Sequence, residues 1–172
     1  MSMPKLTAPT FQTKLPSDGR EVVFRPFLVR EEKNLLIAAE AKDVESVIRA
    51  STQVIESCIV SPNISVEDLP FFDVEHLFIK LRSKSVGEVI ELKYSHKDGV
   101  NRAGTPCTTV TPITINLEEV EVKKDPDHSR VVMVTKDLGI KMRYPTLKMT
   151  YGIRGDINDP EATLAMLAGC IE

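Results

Sequence analysis

The spacing of apolar and polar residues changes character near Gly87. Before Gly87, apolar residues recur mostly at the three-to-four-residue intervals of amphipathic helices. After it, they alternate with polar residues as in half-buried strands. The pattern therefore predicts an α+β fold. It places an N-terminal β-hairpin and a three-helix unit first, then a mainly antiparallel β region, and then a C-terminal helix.

A turn at residues 17–19 is predicted to close the N-terminal hairpin. Glycine accepts positive φ there and the Asp18 side chain can bond nearby backbone, so the chain reverses between strand segments 11–15 and 21–25. Pro26 ends the second strand because proline lacks the N–H group that a strand ladder needs.

Three helices are predicted after the hairpin, each from apolar residues at helical spacing. The first covers residues 29–41, the second follows Asp43 as its N-cap, and the third covers 74–83 after Asp73 as its N-cap. The apolar positions of the first helix are Leu28, Leu35, Leu36 and Ala39. Leu77, Phe78 and Leu81 share one side of the third.

The alternating pattern after Gly87 predicts two further strand pairs. Residues 89–94 form one strand, and the next carries Ile113 and Ile115 on one face and is expected to continue through Val120 and Val122. A second hairpin is expected on either side of residues 136–139.

The last helix is predicted over residues 161–171, because Asp159 is a suitable N-cap and Pro160 suits the first helical position. No glycine cap or polar tail follows it, so we expect this end to be cut short or completed by a partner. The chain then divides into a flexible arm at 1–10 and a hairpin plus helical unit at 11–86. An antiparallel β unit at 87–145, with an insertion loop at 95–107, and a C-terminal helical segment at 146–172 follow.

Composition narrows the classes of function. Among the 172 residues, 42% are hydrophobic and 27% are charged, which suits a packed core. The net charge of −3 and the pI near 5.7 argue against nucleic-acid binding. The polar N-terminus has no apolar signal core, and no apolar run is long enough to cross a membrane. Three widely spaced cysteines fit reduced thiols, so we expect a soluble protein inside the cell that makes it.

Candidate chemistry is sparse. His96 and Cys107 are weak candidates for a metal site, because zinc sites need three or four ligands, often with close Cys pairs. A solvated histidine and a lone thiol are favoured, so we predict no metal and no cofactor. The same two residues leave a cysteine-dependent hydrolase open as a distant alternative. The acidic pairs 31–32 and 118–119 are expected to be solvated charge runs, and no phosphate-loop motif occurs. We therefore predict a non-enzymatic binding or assembly role.

Several stretches carry a family resemblance. The most specific is the Arg-Pro-Phe corner, residues 25–27, with its following helix. The stretches are residues 15–16, 24–29, 31–33, 56–59, 69–73, 77–82, 84–88 and 115–120. In order and spacing over about residues 15–145, the chain resembles the baseplate hub assembly proteins of T-even-type tailed bacteriophages.

The resemblance implies protein–protein interaction in building a contractile tail, as an assembly chaperone or, alternatively, as a permanent structural subunit of the virion baseplate. It implies other baseplate hub or tail proteins as partners, and it leaves a homo-oligomer open. The expected locations are the host cytoplasm during assembly and the virion tail baseplate. Similar proteins often carry zinc-ribbon Cys pairs between the strands that flank 95–107. Because this chain has only His96 and Cys107 there, a degenerate loop without zinc is implied.

Two regions are candidates for partner binding. Arg25 and Phe27 lie in the Arg-Pro-Phe corner, and Leu164, Leu167 and Ile171 are expected to share one side of the last helix. The strands within 89–94 and 131–144 are further candidates, because a strand edge can accept an added strand.

Overall fold

The structure is a computed structural model that describes residues 8–95, 99, 104–105, 109–151 and 160–172. It confirms the α+β class, with three separate two-stranded antiparallel sheets. The elements are β1 (Phe11–Lys14), β2 (Glu21–Phe24), α1 (Val29–Glu40), α2 (Val44–Cys58), α3 (Phe71–Ser85), β3 (Val89–Ser95), β4 (Val110–Asn116), β5 (Val131–Met133), β6 (Gly139–Lys141), α4 (Leu147–Tyr151) and α5 (Pro160–Gly169). Most of the predicted arm at 1–10 lies outside the described residues.

The predicted N-terminal hairpin is confirmed. Phe11 pairs with Phe24 and Lys14 with Glu21, and Gly19 adopts the positive φ of +77° that the turn requires. Beyond β2, the Val60 N–H donates to the Val23 carbonyl at 2.8 Å, and Phe24 bridges to Ile59. The outer edge of β2 is therefore covered by the chain that leaves α2.

The hydrophobic core lies between this hairpin and the helices. Its fully buried side chains come from the hairpin, α2, α3 and their connections, namely Leu15, Val22, Phe24, Val54, Ile55, Cys58, Val66, Leu69, Val74, Leu77 and Leu81. Leu147 of α4 joins the same cluster, and its N–H donates to the Leu69 carbonyl at 2.8 Å. Residues 146–151, predicted as part of a C-terminal segment, thus contribute to the N-terminal core.

The Arg-Pro-Phe corner is held by a partly buried ion pair. Arg25 Nη2 lies 3.1 Å from Glu31 Oε1 and 3.0 Å from the Ser57 carbonyl at the end of α2. The other carboxylate oxygen of Glu31 accepts from the Leu28 N–H at 2.7 Å, which satisfies a free donor at the start of α1. One carboxylate therefore joins the corner, the start of α1 and, through Arg25, the end of α2.

The surroundings of Glu31 shift its ionisation. Burial opposes the charged form, but hydrogen bonds from the Leu28 N–H and from the Arg25 and Arg30 guanidinium groups outweigh it and lower the pKa to about 2. The expectation of a solvated acidic pair at 31–32 is wrong for Glu31, whose side chain is 5% exposed. The expectation of a solvated carboxylate holds for the neighbouring Glu32, which is exposed.

Asp73 has a different role from the predicted N-cap. Pro70 stands at the N-cap position of α3, and Asp73 is fully buried inside the first turn. Its carboxylate accepts from the Ser17 N–H at 3.0 Å and from the Ser17 hydroxyl, which fixes the hairpin turn to α3. Burial raises the pKa of Asp73 against the opposing effect of these hydrogen bonds. The tertiary contact with Ser17 replaces the local capping contact.

Helix α1 buries only part of the apolar side that its sequence predicted. Ala38 and Glu31 are its buried residues, whereas Leu36 is 61% exposed and Ile37 is 56% exposed. The small Ala38 faces inward and Leu35 is half-buried against the core, whereas Leu36 and Ile37 face solvent. Of the other predicted apolar positions, Leu28 and Ala39 are exposed as well, so the expected burial is wrong for all of them except Leu35.

The second half begins with the hairpin of β3 and β4, which confirms both predicted strands. The predicted continuation of β4 through Val120 and Val122 is wrong, because a 3-10 turn at Leu117–Glu119 ends the strand. Lys80 Nζ donates to the Glu118 carbonyl at 3.0 Å, and Ser83 Oγ donates to Glu118 Oε1 at 2.5 Å. Contacts with α3 thus bend the chain away from the strand direction, and they leave Glu118 only half exposed.

The predicted hairpin around residues 136–139 is confirmed by β5 and β6, with Val132 paired to Ile140. The last helix, α5, ends at Gly169, so the expectation that it reaches Ile171 is wrong. Ile171 instead bridges to Met142, and the Glu172 N–H donates to the Lys141 carbonyl at 2.9 Å. The outer edge of β6 is covered by the residues that follow α5.

Glu31 is expected to stabilise the fold in a pH-dependent way. Its folded pKa of about 2 lies below the ordinary value of 4.5, so its contribution is complete above pH 4.5 and is lost as pH falls through 2. Glu31→Gln should lower the free energy of unfolding by about 2–3 kcal/mol at pH 7. The difference from the wild type should shrink as pH falls from 5 to 2, measured by urea unfolding.

Glu32→Gln is the matched control, because this neighbouring carboxylate is exposed. It should change the unfolding free energy by less than about 0.5 kcal/mol at each pH. An equal loss from both substitutions would contradict the assigned role of the Arg25–Glu31 pair.

Candidate interaction surfaces

The two faces of the β3–β4 hairpin differ in polarity. Its register pairs Ile90 with Ile115, Leu92 with Ile113 and Tyr94 with Thr111. Because side chains alternate between faces along a strand, these six residues share one face and make it mostly apolar. The opposite face carries residues that are mostly polar or charged, namely Val89, Glu91, Lys93, Ser95, Val110, Pro112, Thr114 and Asn116.

The apolar face of this hairpin is largely open to solvent. Leu92 is 47% exposed and Tyr94 is 55% exposed, and Ile113 and Ile115 on the neighbouring strand are exposed as well. A two-stranded hairpin is marginally stable alone and usually covers its apolar face against another element. This face is therefore the strongest candidate for contact with another protein chain.

A second apolar surface runs along α5. Leu164 is 65% exposed, and Leu167 lies one turn further on and is also exposed. The opposite side of the helix approaches α4, because a Cβ placed on Gly169 would lie 2.5 Å from the terminal methyl of Met149. Leu164 and Leu167 thus lie together as predicted, while Ile171 lies beyond the helix against Met142.

The Arg-Pro-Phe candidates are engaged within the chain. The Arg25 guanidinium is bound by Glu31 and the Ser57 carbonyl. Phe27 is half-buried against the core, and its backbone N–H donates to Ser85 Oγ at 3.0 Å. The structure thus gives both residues a role inside the fold.

An apolar groove lies between α2 and α3. Its volume is about 370 Å³, and it is lined by Ile48, Ser51, Thr52, Ile55, Phe71, Val74, Glu75, Phe78 and Ile79. The polar groups along it are few, so it suits an apolar side chain better than a charged substrate.

The two residues considered for metal binding and for catalysis cannot be placed in the described structure. His96 and Cys107 both lie outside the described residues. Within the described ranges, no group of three or more His, Cys, Asp or Glu side chains could hold a metal ion. His76 bonds Thr13 Oγ1 at 3.0 Å, and His128 bonds the Tyr144 hydroxyl at 2.8 Å.

Cys58 and Cys170 are free thiols that are buried in the fold. Burial raises the pKa of the Cys58 thiol and so favours its protonated form. Among the helices of the described residues, none combines the length and the apolar character that a membrane span requires.

Comparison with known proteins identifies the family. A family model described as T4 bacteriophage base plate protein matches residues 8–172. The chain belongs to this T4-type phage baseplate protein family. The resemblance to phage baseplate proteins is thereby confirmed, and membership associates the protein with the virion tail and with other baseplate proteins. No curated protein and no solved structure matches.

Sequence reasoning placed the strands of this baseplate protein but missed the exposure of their apolar face. A signal was present, because Glu91 and Lys93 alternate with Ile90, Leu92 and Tyr94 and so mark a single apolar side. What the alternation could not supply is whether another element of the same chain covers that side.

Leu164 and Leu167 are expected to be dispensable for the fold. The double substitution Leu164→Gln and Leu167→Gln should change the free energy of unfolding by less than about 0.5 kcal/mol, because both side chains already contact water. Leu147→Ala is the contrasting control at a buried leucine, and it should cost about 2–5 kcal/mol. Urea unfolding measures both, and a large loss for the double variant would place α5 inside a core.

Proposed function

We propose that this baseplate protein assists assembly of the baseplate hub through protein–protein contacts, as a chaperone for hub subunits. The observation that carries the proposal is the exposed apolar face of the β3–β4 hairpin, formed by Leu92, Tyr94, Ile113 and Ile115 beside the half-buried Ile90. A face of this kind gains free energy when a partner removes it from water.

The arrangement of the surface supports a binding role. The folded core is built by the hairpin of β1 and β2 with α2, α3 and Leu147, whereas β3, β4, β5 and the outer side of α5 expose aliphatic side chains. The packed core can thus hold these elements in place while their apolar sides remain available to a client. Hub subunits are the proposed clients, because an exposed apolar face can cover apolar surface on a subunit that has not yet assembled.

A second candidate is a permanent structural subunit of the virion baseplate. The same apolar faces support it, because a subunit buries such surfaces in the finished particle. We propose that neither role includes catalysis. The distant alternative, a hydrolase using Cys107 and His96, has no support from the described residues.

Copy number separates the two candidates. Quantitative mass spectrometry is applied to purified phage particles and to lysate from infected cells. A chaperone is expected to be abundant in lysate and absent from particles, because it leaves when the hub is complete. A fixed copy number in particles would contradict the chaperone and support the permanent subunit.

The hairpin face can be tested directly by substitution. Ile113→Thr together with Ile115→Thr keeps the β-branched shape but removes apolar surface from the exposed face. Recovery of the phage's other hub proteins with the tagged chain should fall roughly tenfold, because about 1 kcal/mol or more is lost for each side chain that a partner buries.

Thr114→Ser is the matched control for that experiment, because Thr114 lies between the two isoleucines on the opposite face. Recovery should be unchanged with this variant, and circular dichroism should show the same fold for all three chains. Undiminished recovery of hub proteins with the isoleucine variant would contradict binding through this face.

A further inference from the structure

The backbone of β3 has one side that is unpaired in the sheet. The Leu117 N–H donates to the Glu88 carbonyl at 2.7 Å, which makes Glu88 and Leu117 a hydrogen-bonded pair just beyond the strands. Such pairs alternate along an antiparallel ladder, so Ile90, Leu92 and Tyr94 bond inward to β4. The N–H and C=O groups of the alternate residues, Val89, Glu91, Lys93 and Ser95, point away from β4.

The described residues leave this edge of β3 open, since its sheet contains two strands. The outer edges of β2 and β6 are covered by Ile59 and Ile171. The outer edge of β4 is blunted, because Pro112 falls among its outward-pointing residues and has no N–H to donate. The edge of β3 contains no proline and can accept another strand.

The charges on β3 specify which strand fits. Glu91 and Lys93 lie two residues apart on one face, on either side of Leu92. If a second copy pairs antiparallel about a two-fold axis at Leu92, Glu91 of each copy lies opposite Lys93 of the other. Shifting the axis to Glu91 or to Lys93 would instead place two like charges opposite each other, which destabilises a strand pair.

We propose that two copies of this chain associate edge to edge through β3, in the antiparallel register centred on Leu92. The outward-pointing groups then meet one another, and two Glu91–Lys93 pairs form across the axis. The two hairpins become one four-stranded antiparallel sheet, with Ile90, Leu92 and Tyr94 of both copies continuous on one face. The blunted β4 strands lie at the outer edges, so the assembly closes as a dimer rather than growing into a fibre.

This interface is self-complementary, as a two-fold dimer requires, and it is small, so the dimer should dissociate at low concentration. The proposal does not depend on the chaperone role, because it concerns the purified chain alone. Sedimentation equilibrium of the full chain over a range up to about 100 µM should show a reversible monomer–dimer equilibrium. A monomer at every concentration would overturn the proposal.

Charge exchange tests the register. Glu91→Lys alone and Lys93→Glu alone should each raise the dissociation constant roughly tenfold or more, because both cross-strand pairs become like-charged. Mixing the two variants should restore a dimer, since both lysines of the first variant then lie opposite glutamates of the second. The chain that carries both substitutions should also dimerise with itself, because its charges are exchanged but remain complementary across the axis.

Glu121→Lys and Lys124→Glu are matched charge changes at exposed positions outside β3. They should leave the dissociation constant unchanged, and circular dichroism should show that every variant folds. Dimers that survive Glu91→Lys or Lys93→Glu would overturn the proposal. Failure of the mixed variants to associate would overturn the register centred on Leu92.

Discussion

The ion pair between Arg25 and Glu31 is the constraint on which the arrangement of the N-terminal half depends. Pro26 ends the strand and turns the chain, and the pair then decides how the turned chain enters α1. Because Glu31 also accepts from the Leu28 N–H, and Arg25 also donates to the Ser57 carbonyl, the contact joins the corner to two helices. The Glu31 carboxylate is buried and its hydrogen bonds compensate for lost hydration, so removing Arg25 would leave this charge without its cationic partner.

A second buried carboxylate works with a neutral partner. Asp73 in α3 binds both the backbone N–H and the hydroxyl of Ser17, and so joins the first hairpin to the third helix. Its raised pKa contrasts with the lowered pKa of Glu31, because Asp73 gains no cationic hydrogen-bond donor to offset burial. The two contacts join the hairpin and α1 to one core, while Leu36 and Ile37 of α1 face solvent.

The distribution of apolar residues relates this fold to assembly. Fully buried residues concentrate between the first hairpin, α2 and α3, while the β3–β4 hairpin and α5 expose leucine, isoleucine and valine. The outer edges of the strands differ: Ile59 covers that of β2 and Ile171 covers that of β6, whereas Pro112 blunts that of β4. In a member of a phage baseplate family, surfaces of this kind are suited to contact with other protein chains.

Much of the secondary structure of this protein follows from interactions between residues that are close together in the sequence. The turn at Gly19, the strand end at Pro26, the Asp43 cap and the alternation in β3 each act within a few residues, so the elements and their order could be predicted. Tertiary structure decided which sides of those elements are buried. Asp73 binds Ser17, which lies far from it in the sequence. Glu31 and Ala38 are the residues that α1 buries, and contacts with α3 end β4 at Asn116. The exposure of the apolar face of β3 and β4 was also decided by tertiary structure, because periodicity identifies an apolar side but only packing determines what covers it.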